Sequence, residues 1–246
     1  MARYLMTPSP NHGERREGPV DMLILHYTGM ETAKGAHDWL CDPKSQVSSH
    51  YFVYEDGAIC QLVSEDRRAW HAGVGFWGGV SDINSRSIGI EIANPGHAGG
   101  YPDFPPAQME AVMALCSDIC ARLSIPPKRV LAHSDVAPAR KIDPGEKFDW
   151  AMLAANGVGH WVEPVRISGG RFFQQGDAGQ PVEALQAMLA LYGYGIEVSG
   201  NYDLATEQVV SAFQRHFRQA KVDGIADVST IETLHRLLVA ASSSGP

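Results

Sequence analysis

The chain has 246 residues, 44% of them hydrophobic and 20% charged, with a formal net charge of −8. That length supports one large or two modest domains with real cores, and the acidic balance disfavours nucleic acid and anionic membrane surfaces as general partners. No stretch approaches the roughly 18 apolar residues that a bilayer span requires, so no transmembrane segment is expected.

In chain order, residues 1–10 lack the uninterrupted apolar run of a secretory leader. A cytoplasmic home is therefore expected, or a periplasmic or envelope one if a leader has been removed. Residues 20–28 read as a buried strand that runs into Leu25-His26-Tyr27-Thr28. Residues 31–40 read as a short helix, with Ala33, Ala36, His37 and Leu40 on one face. Residues 50–54 and 58–63, separated by Asp56-Gly57, read as a β-hairpin. Residues 87–93 form a β-branched strand with Glu91 between Ile90 and Ile92. After a Gly- and Pro-rich stretch, residues 107–123 carry Met109, Val112, Met113, Leu115, Cys116 and Ile119 at helical spacing. Pro126-Pro127 stops that helix, and the strand 129–133 ends at His133. Strands alternating with helices predict an α/β fold, a mixed central sheet flanked by helices.

Between about 164 and 180 the chain turns polar and Gly-rich. The predicted organisation is a domain over 1–165, a linker over 166–180 and a small three-helix domain over 181–241. Val182, Leu185, Leu189 and Tyr192 mark the first helical stripe, Val209, Val210, Phe213 and Phe217 the second, and Ile231, Leu234, Leu237 and Leu238 the third. Gly200-Asn-Tyr-Asp203-Leu-Ala-Thr206 is echoed by Gly224-Ile-Ala-Asp227-Val-Ser-Thr230, each a Gly turn followed by an Asp helix cap. Residues 242–246 are expected to be a disordered tail. The four cysteines, Cys41, Cys60, Cys116 and Cys120, form no Cys-x-x-Cys pair and read as small buried hydrophobes.

Three residues stand out for their chemistry. His26 and His133 each end an apolar run, and Asp143 follows His133 by ten positions in an Asp-Pro-Gly turn. Two imidazoles and one carboxylate can make a three-ligand zinc site whose fourth position stays open, the catalytic arrangement. Each histidine also has a plainer reading, as a packed or hydrogen-bonded strand-end residue.

The surrounding strings resemble the zinc-dependent N-acetylmuramoyl-L-alanine amidases. They are Leu25-His26-Tyr27-Thr28, Val47-Ser48-Ser49-His50-Tyr51-Phe52-Val53, Ala69-Trp70-His71-Ala72-Gly73, Ser87-Ile88-Gly89-Ile90-Glu91-Ile92-Ala93-Asn94, and the segment from His133 to Gly145. They occur in family order over about residues 20–150. The resemblance implies one catalytic Zn2+ held by His26, His133 and Asp143, with Glu91 as the catalytic carboxylate and Lys141 stabilising the transition state. Some phage relatives have Cys as the last ligand; Asp143 matches the cell-wall recycling type. The C-terminal region resembles a peptidoglycan-binding domain of three helices.

An amide is a poor electrophile and water a poor nucleophile. Bound zinc lowers the pKa of its water from about 15.7 towards roughly 7 and polarises a carbonyl. On the family reading Glu91 is the general base and Lys141 supports the oxyanion. Arg140 is expected to bind a substrate carboxylate, Asn94 the stem peptide, and Trp70 and His71 to wall the pocket. His50 reads equally as a support of the site or as core. The implied reaction is hydrolysis of the amide between the lactyl group of N-acetylmuramic acid and L-alanine, on peptidoglycan fragments or the sacculus. The alternatives are a peptidoglycan-recognition module that binds without cutting, and a wall-lytic enzyme acting on intact polymer. The C-terminal domain favours polymer, and the lack of a leader favours soluble muropeptides.

Overall fold

In the computed structural model, which describes residues 4–16 and 18–243, six strands form one sheet and two more form a separate ribbon. The chain runs through β1 (Leu5–Met6), β2 (His12–Glu14), β3 (Met22–Tyr27), α1 (Ala33–Cys41), β4 (Tyr51–Val53), β5 (Ile59–Gln61), β6 (Arg67–Ala69), α2 (Ile83–Arg86) and β7 (Ser87–Ile92). It continues with α3 (Pro106–Leu123), β8 (Val130–Ala132), α4 (His133–Val136), α5 (Trp150–Ala155), α6 (Gln180–Tyr192), α7 (Leu204–Phe217) and α8 (Val228–Ser243). The large sheet has the order β1-β5-β4-β7-β3-β8. Only the β4–β5 hairpin is antiparallel; every other neighbouring pair runs parallel. The ribbon pairs β2 with β6. This is the mixed sheet flanked by helices, with a helical C-terminal region, that the alternation of elements predicts.

Strand β3 lies between β7 and β8, and Met22, Leu23, Ile24 and Leu25 have no exposed surface. An unbroken apolar run is what a strand covered on both faces needs. Its side chains alternate between two cores. Leu23 and Leu25 join Ile88, Ile90 and Ile92 in the core that holds Val112, Leu115 and Ile119 of α3. Met22 and Ile24 belong to the other core, together with Leu131, Trp77 and the C-terminal residues Leu185, Leu189, Phe213 and Leu237. A third cluster packs Ala36 and Leu40 of α1 against Phe52 and Leu62.

The C-terminal repeat has a buried device that its Gly-Asp-Thr pattern does not spell out. Gln186 accepts from the backbone N–H groups of Ser199 (3.0 Å) and Gly200 (2.8 Å) and donates to Asn201 O (2.9 Å) and Thr206 Oγ1 (3.0 Å). Gln214 repeats this with Asp223 N, Gly224 N, Ile225 O and Thr230 Oγ1. Asp203 and Asp227 cap α7 and α8, each accepting from the backbone N–H three residues on at 2.8 Å. Each fully buried glutamine thus satisfies a turn that would otherwise leave polar backbone groups unpaired.

Residues 166–180 are mostly exposed, yet Phe173 bridges Ala226 and Ala178 bridges Asn201. Just before them, Val165 N donates to Thr233 Oγ1 at 3.0 Å. The stretch is therefore fastened to the helices and does not hang free. Residues 242 and 243, expected to begin a disordered tail, continue α8; residues 244–246 lie outside the described residues. The short α2 and α5 have no counterpart in the periodicity, because four and six residues are too few to display a helical stripe. Among the described residues no helix is long and apolar enough to cross a membrane.

Because one core joins the sheet to the C-terminal helices, the intact chain should unfold in a single calorimetric transition. Trp77, 2% exposed, packs edge-on against Tyr194 with ring centroids 4.9 Å apart. Trp77→Ala should cost about 3–5 kcal/mol and lower that one transition as a whole. Two resolved transitions, only one of them moved, would contradict the shared core.

Candidate active site

The site lies at the carboxyl ends of the parallel strands. In the β3–β7 register His26 stands opposite Glu91. In the β3–β8 register Leu25 stands opposite Ala132, so His133, the next residue, opens α4 at the same level. The chain returns to this level at Asp143, where Ser134 N donates to Asp143 O at 3.0 Å. His26 Nδ1 and His133 Nδ1 lie 2.9 Å apart, and Asp143 Oδ2 is 3.1 Å from the first and 3.0 Å from the second. These are the three residues whose ligand atoms converge as a candidate metal group, and all are buried.

Their outer partners fix which nitrogen faces inward. Ser87 Oγ donates its single proton to Ile83 O at 2.7 Å, so toward His71 Nε2, 3.1 Å away, it acts as acceptor. His71 Nε2 therefore carries the proton, and His71 Nδ1 accepts from His26 Nε2 at 3.0 Å. That leaves the Nδ1 lone pair of His26 pointing into the site. His133 Nε2 donates to Ala72 O at 3.0 Å, leaving its Nδ1 lone pair pointing to the same spot. Burial, with the neighbouring His133 adding to it, pushes the His26 pKa down to about 4, so its imidazole is neutral near pH 7. Burial pushes His71 down as well.

Glu91, half-buried, sits beside this triangle in a cavity of about 420 Å³ that Lys141 also lines. Its Oε2 is buried without a hydrogen-bond partner. Burial raises its pKa well above the ordinary value, Asp143 adds to the rise and Lys141 opposes it. Trp70 lines the same cavity, as expected. So do Met30, Trp39 and Val47, which the sequence reading did not single out. Their signal was there: Trp39 is a large aromatic on a short amphipathic helix, yet it is 46% exposed.

Four expected site residues have hydrogen-bonding duties of their own. His71 lines the cavity as expected, but both its ring nitrogens are engaged, so it supports His26 and offers substrate no free nitrogen. Arg140 lines the cavity but donates to Ala72 O at 2.7 Å and to Val74 O, which holds the 72–74 loop. Asn94 does not line this cavity; its amide donates to Pro102 O and accepts from Gly96 N, so it shapes its own loop. His50 is fully buried behind His71, accepts from Gly89 N at 2.9 Å and donates to Arg67 O at 3.1 Å. It is a core residue, its two nitrogens spent on backbone.

Comparison with known proteins agrees with this geometry. The profile of the family described as N-acetylmuramoyl-L-alanine amidase matches residues 16–146, and one described as a peptidoglycan binding domain matches residues 178–234. N-acetylmuramoyl-L-alanine amidase AmiD of Escherichia coli (strain K12) is 39% identical over 234 residues, covering 89% of this chain and 82% of the relative. The solved complex of AmiD from E. coli with the substrate anhydro-N-acetylmuramic acid-L-Ala-D-gamma-Glu-L-Lys superposes with a TM-score of 0.76 at 35% identity, over 92% of this chain and 93% of that one. AmpDh3 from Pseudomonas aeruginosa, in complex with anhydromuramic pentapeptide, gives 0.73 at 29% identity over 96% and 95%. The chain belongs to the N-acetylmuramoyl-L-alanine amidase family.

The buried His50 yields a pH prediction. Burial, reinforced by the charge of Arg15, lowers its pKa to about 3. An unfolded histidine takes up a proton below about 6.5, while the folded one resists until about 3, so folding stability falls with pH across that window. Between pH 6.5 and 4.5 His50 alone should remove about 2–3 kcal/mol from the metal-free protein. Urea unfolding at both pH values should show a smaller loss in His50→Gln; an equal loss would show that His50 does not carry the effect.

Proposed function

We propose that this chain is a zinc-dependent amidase that hydrolyses the bond between the lactyl group of N-acetylmuramic acid and L-alanine in peptidoglycan fragments. The observation that carries the reading is the convergence of two imidazole lone pairs and a carboxylate oxygen within 2.9–3.1 Å of one another. With the protons of both rings committed outward, these three acceptors repel unless a cation sits among them. Ligand atoms about 2.0–2.1 Å from a tetrahedral zinc ion stand about 3.3 Å apart, close to the spacing seen. His26, His133 and Asp143 are thus the residues that would hold it, each fixed by an outer partner in the way metal-binding histidines require.

When bound, zinc makes water a nucleophile near neutral pH and draws electrons from the scissile carbonyl. Glu91 supplies the base: its carboxylate borders the cavity, has one oxygen without a partner and holds a raised proton affinity. It takes a proton from the attacking water and returns it to the departing amine of L-alanine. The Lys141 ammonium, on the same cavity, stabilises negative charge developing on the carbonyl oxygen. Trp39 and Trp70 offer flat apolar faces to the sugar at the cavity wall. We assign residues 1–165 to the catalytic unit, 166–180 to the connection and 181–241 to the helical module.

The AmiD complex carries anhydro-N-acetylmuramic acid-L-Ala-D-gamma-Glu-L-Lys, named there as substrate, which supports peptidoglycan fragments of that kind as the substrate of this chain. The peptidoglycan binding match over residues 178–234 favours a second reading, in which intact wall is bound as well.

Mass spectrometry of products from a soluble anhydro-muropeptide and from intact sacculi, each with and without a chelator, separates these. Release of free stem peptide from the soluble substrate, abolished by the chelator, is expected. No release from either substrate by zinc-loaded protein would contradict the amidase reading. Glu91→Gln should keep its zinc and lose about 10²–10⁴-fold in turnover, measured as the initial rate of stem-peptide release. Asp143→Ala should lose zinc as well, measured by elemental analysis after dialysis.

A further inference from the structure

The catalytic segment and the helical module meet over a buried polar cluster that the chemistry above does not use. Asp135 is fully buried and lies two residues beyond His133 on α4. Its Oδ2 accepts from Ala132 N at 2.8 Å, pinning the turn from β8 into α4 immediately before His133. The same oxygen accepts from His216 Nδ1 at 2.6 Å, and Oδ1 accepts from Tyr194 OH at 2.6 Å. His216 and Tyr194 both come from the helical module, so two of the three donors that satisfy this carboxylate lie outside the catalytic segment. His216 is locked in place, stacked between Trp150 (centroids 3.7 Å apart) and Phe217 (3.8 Å).

A second path reaches the other end of the same ligand. Ala72 O, which accepts from His133 Nε2, begins a loop that returns to α4, where Phe76 N donates to Val136 O at 2.8 Å. The loop then enters the module: Gly78 N donates to Gly193 O at 2.8 Å, and Trp77 packs edge-on against Tyr192 and Tyr194. The module therefore grips both the backbone from which His133 projects and the loop that orients its ring.

We propose that the C-terminal helical module is a positioning element of the metal centre, with His216 and Tyr194 acting through Asp135, and Gly193 and Trp77 through the 72–80 loop, to aim His133 Nδ1. This rests on the zinc reading of His26, His133 and Asp143. It gives the module a role in every turnover, independent of any affinity for wall. A carboxylate with no exposed surface is expensive to keep in place with one of its three donors missing, so losing either module donor relaxes the turn that carries His133.

The test uses the full chain and two variants that each delete one donor and keep the ring, Tyr194→Phe and His216→Phe. Zinc affinity is measured by competition with a chromophoric chelator, and ligand geometry by the visible absorption of the cobalt(II)-loaded protein. Leu237→Ala is the control: it hollows the module's core and removes none of the three donors to Asp135. Both donor variants should bind zinc about 10-fold more weakly and shift the cobalt bands, as loss of an outer partner of a metal ligand does. Leu237→Ala should lower the melting temperature and leave both readouts unchanged. Donor variants with wild-type affinity and spectrum would overturn the proposal, and so would a Leu237→Ala that weakens zinc equally. Wild-type protein that takes up no zinc would overturn the metal reading itself, and this inference with it.

Discussion

The pairing register of β3 with its two neighbours is the constraint on which the site depends. His26 meets Glu91 across β7, and Leu25 meets Ala132 across β8, so both histidines and the glutamate emerge at one level. Side chains on a strand alternate, so a slip of one residue would carry His26 to the α3 side and put Leu25 in its place. The four fully buried apolar residues before His26 make that slip prohibitive, since it would reverse two cores at once. Gly89, two positions before Glu91, sharpens the arrangement: a Cβ there would meet the His71 ring at 2.4 Å. The bare glycine backbone is what lets His71 lie flat against β7 and hold His26 by its outer nitrogen.

From that register the charge states follow in sequence. Ser87 spends its proton on Ile83 O, His71 must then donate to Ser87, and His26 must donate to His71. Ala72 O fixes His133 in the same sense. The result is a buried set of lone pairs with no proton between them, a place for a cation set up by hydrogen bonds several atoms away. The molecule does not divide cleanly behind this set. Strand β3 contributes Met22 and Ile24 to a core completed by the C-terminal helices, so the surface behind the candidate ligands is built partly from residues beyond 180.

Much of this was legible in the sequence. The apolar runs ending at His26 and His133, the Asp-Gly hairpin, the long α3 stripe and the three C-terminal stripes each have enough residues to show their period, and each element forms. The candidate triad His26, His133 and Asp143 was legible through strings in family order, and the fold brings the three together. The partners were not. His71 and His50 sit in neighbouring strings and look alike, yet only contacts across the sheet reveal that one buttresses His26 and the other is spent on Gly89 and Arg67. Asn94 and Arg140 look like substrate contacts because they lie close to Glu91 and Lys141, but backbone carbonyls and amides claim much or all of their hydrogen bonding. Asp135, Tyr194 and His216 are far apart in sequence, with no local pattern linking them. The glycine-rich stretch 166–180 reads as a linker from its local composition, which carries no sign of the bridges that tie it to the helices.

The claim most exposed to refutation is that His26 Nδ1, His133 Nδ1 and Asp143 Oδ2 enclose one metal ion. Crystals of the zinc-loaded protein, with anomalous diffraction recorded on both sides of the zinc edge, test it directly. The account predicts a single strong anomalous peak about 2.0–2.2 Å from those three atoms. No peak there, or zinc held through the Nε2 atom of either histidine, would contradict it.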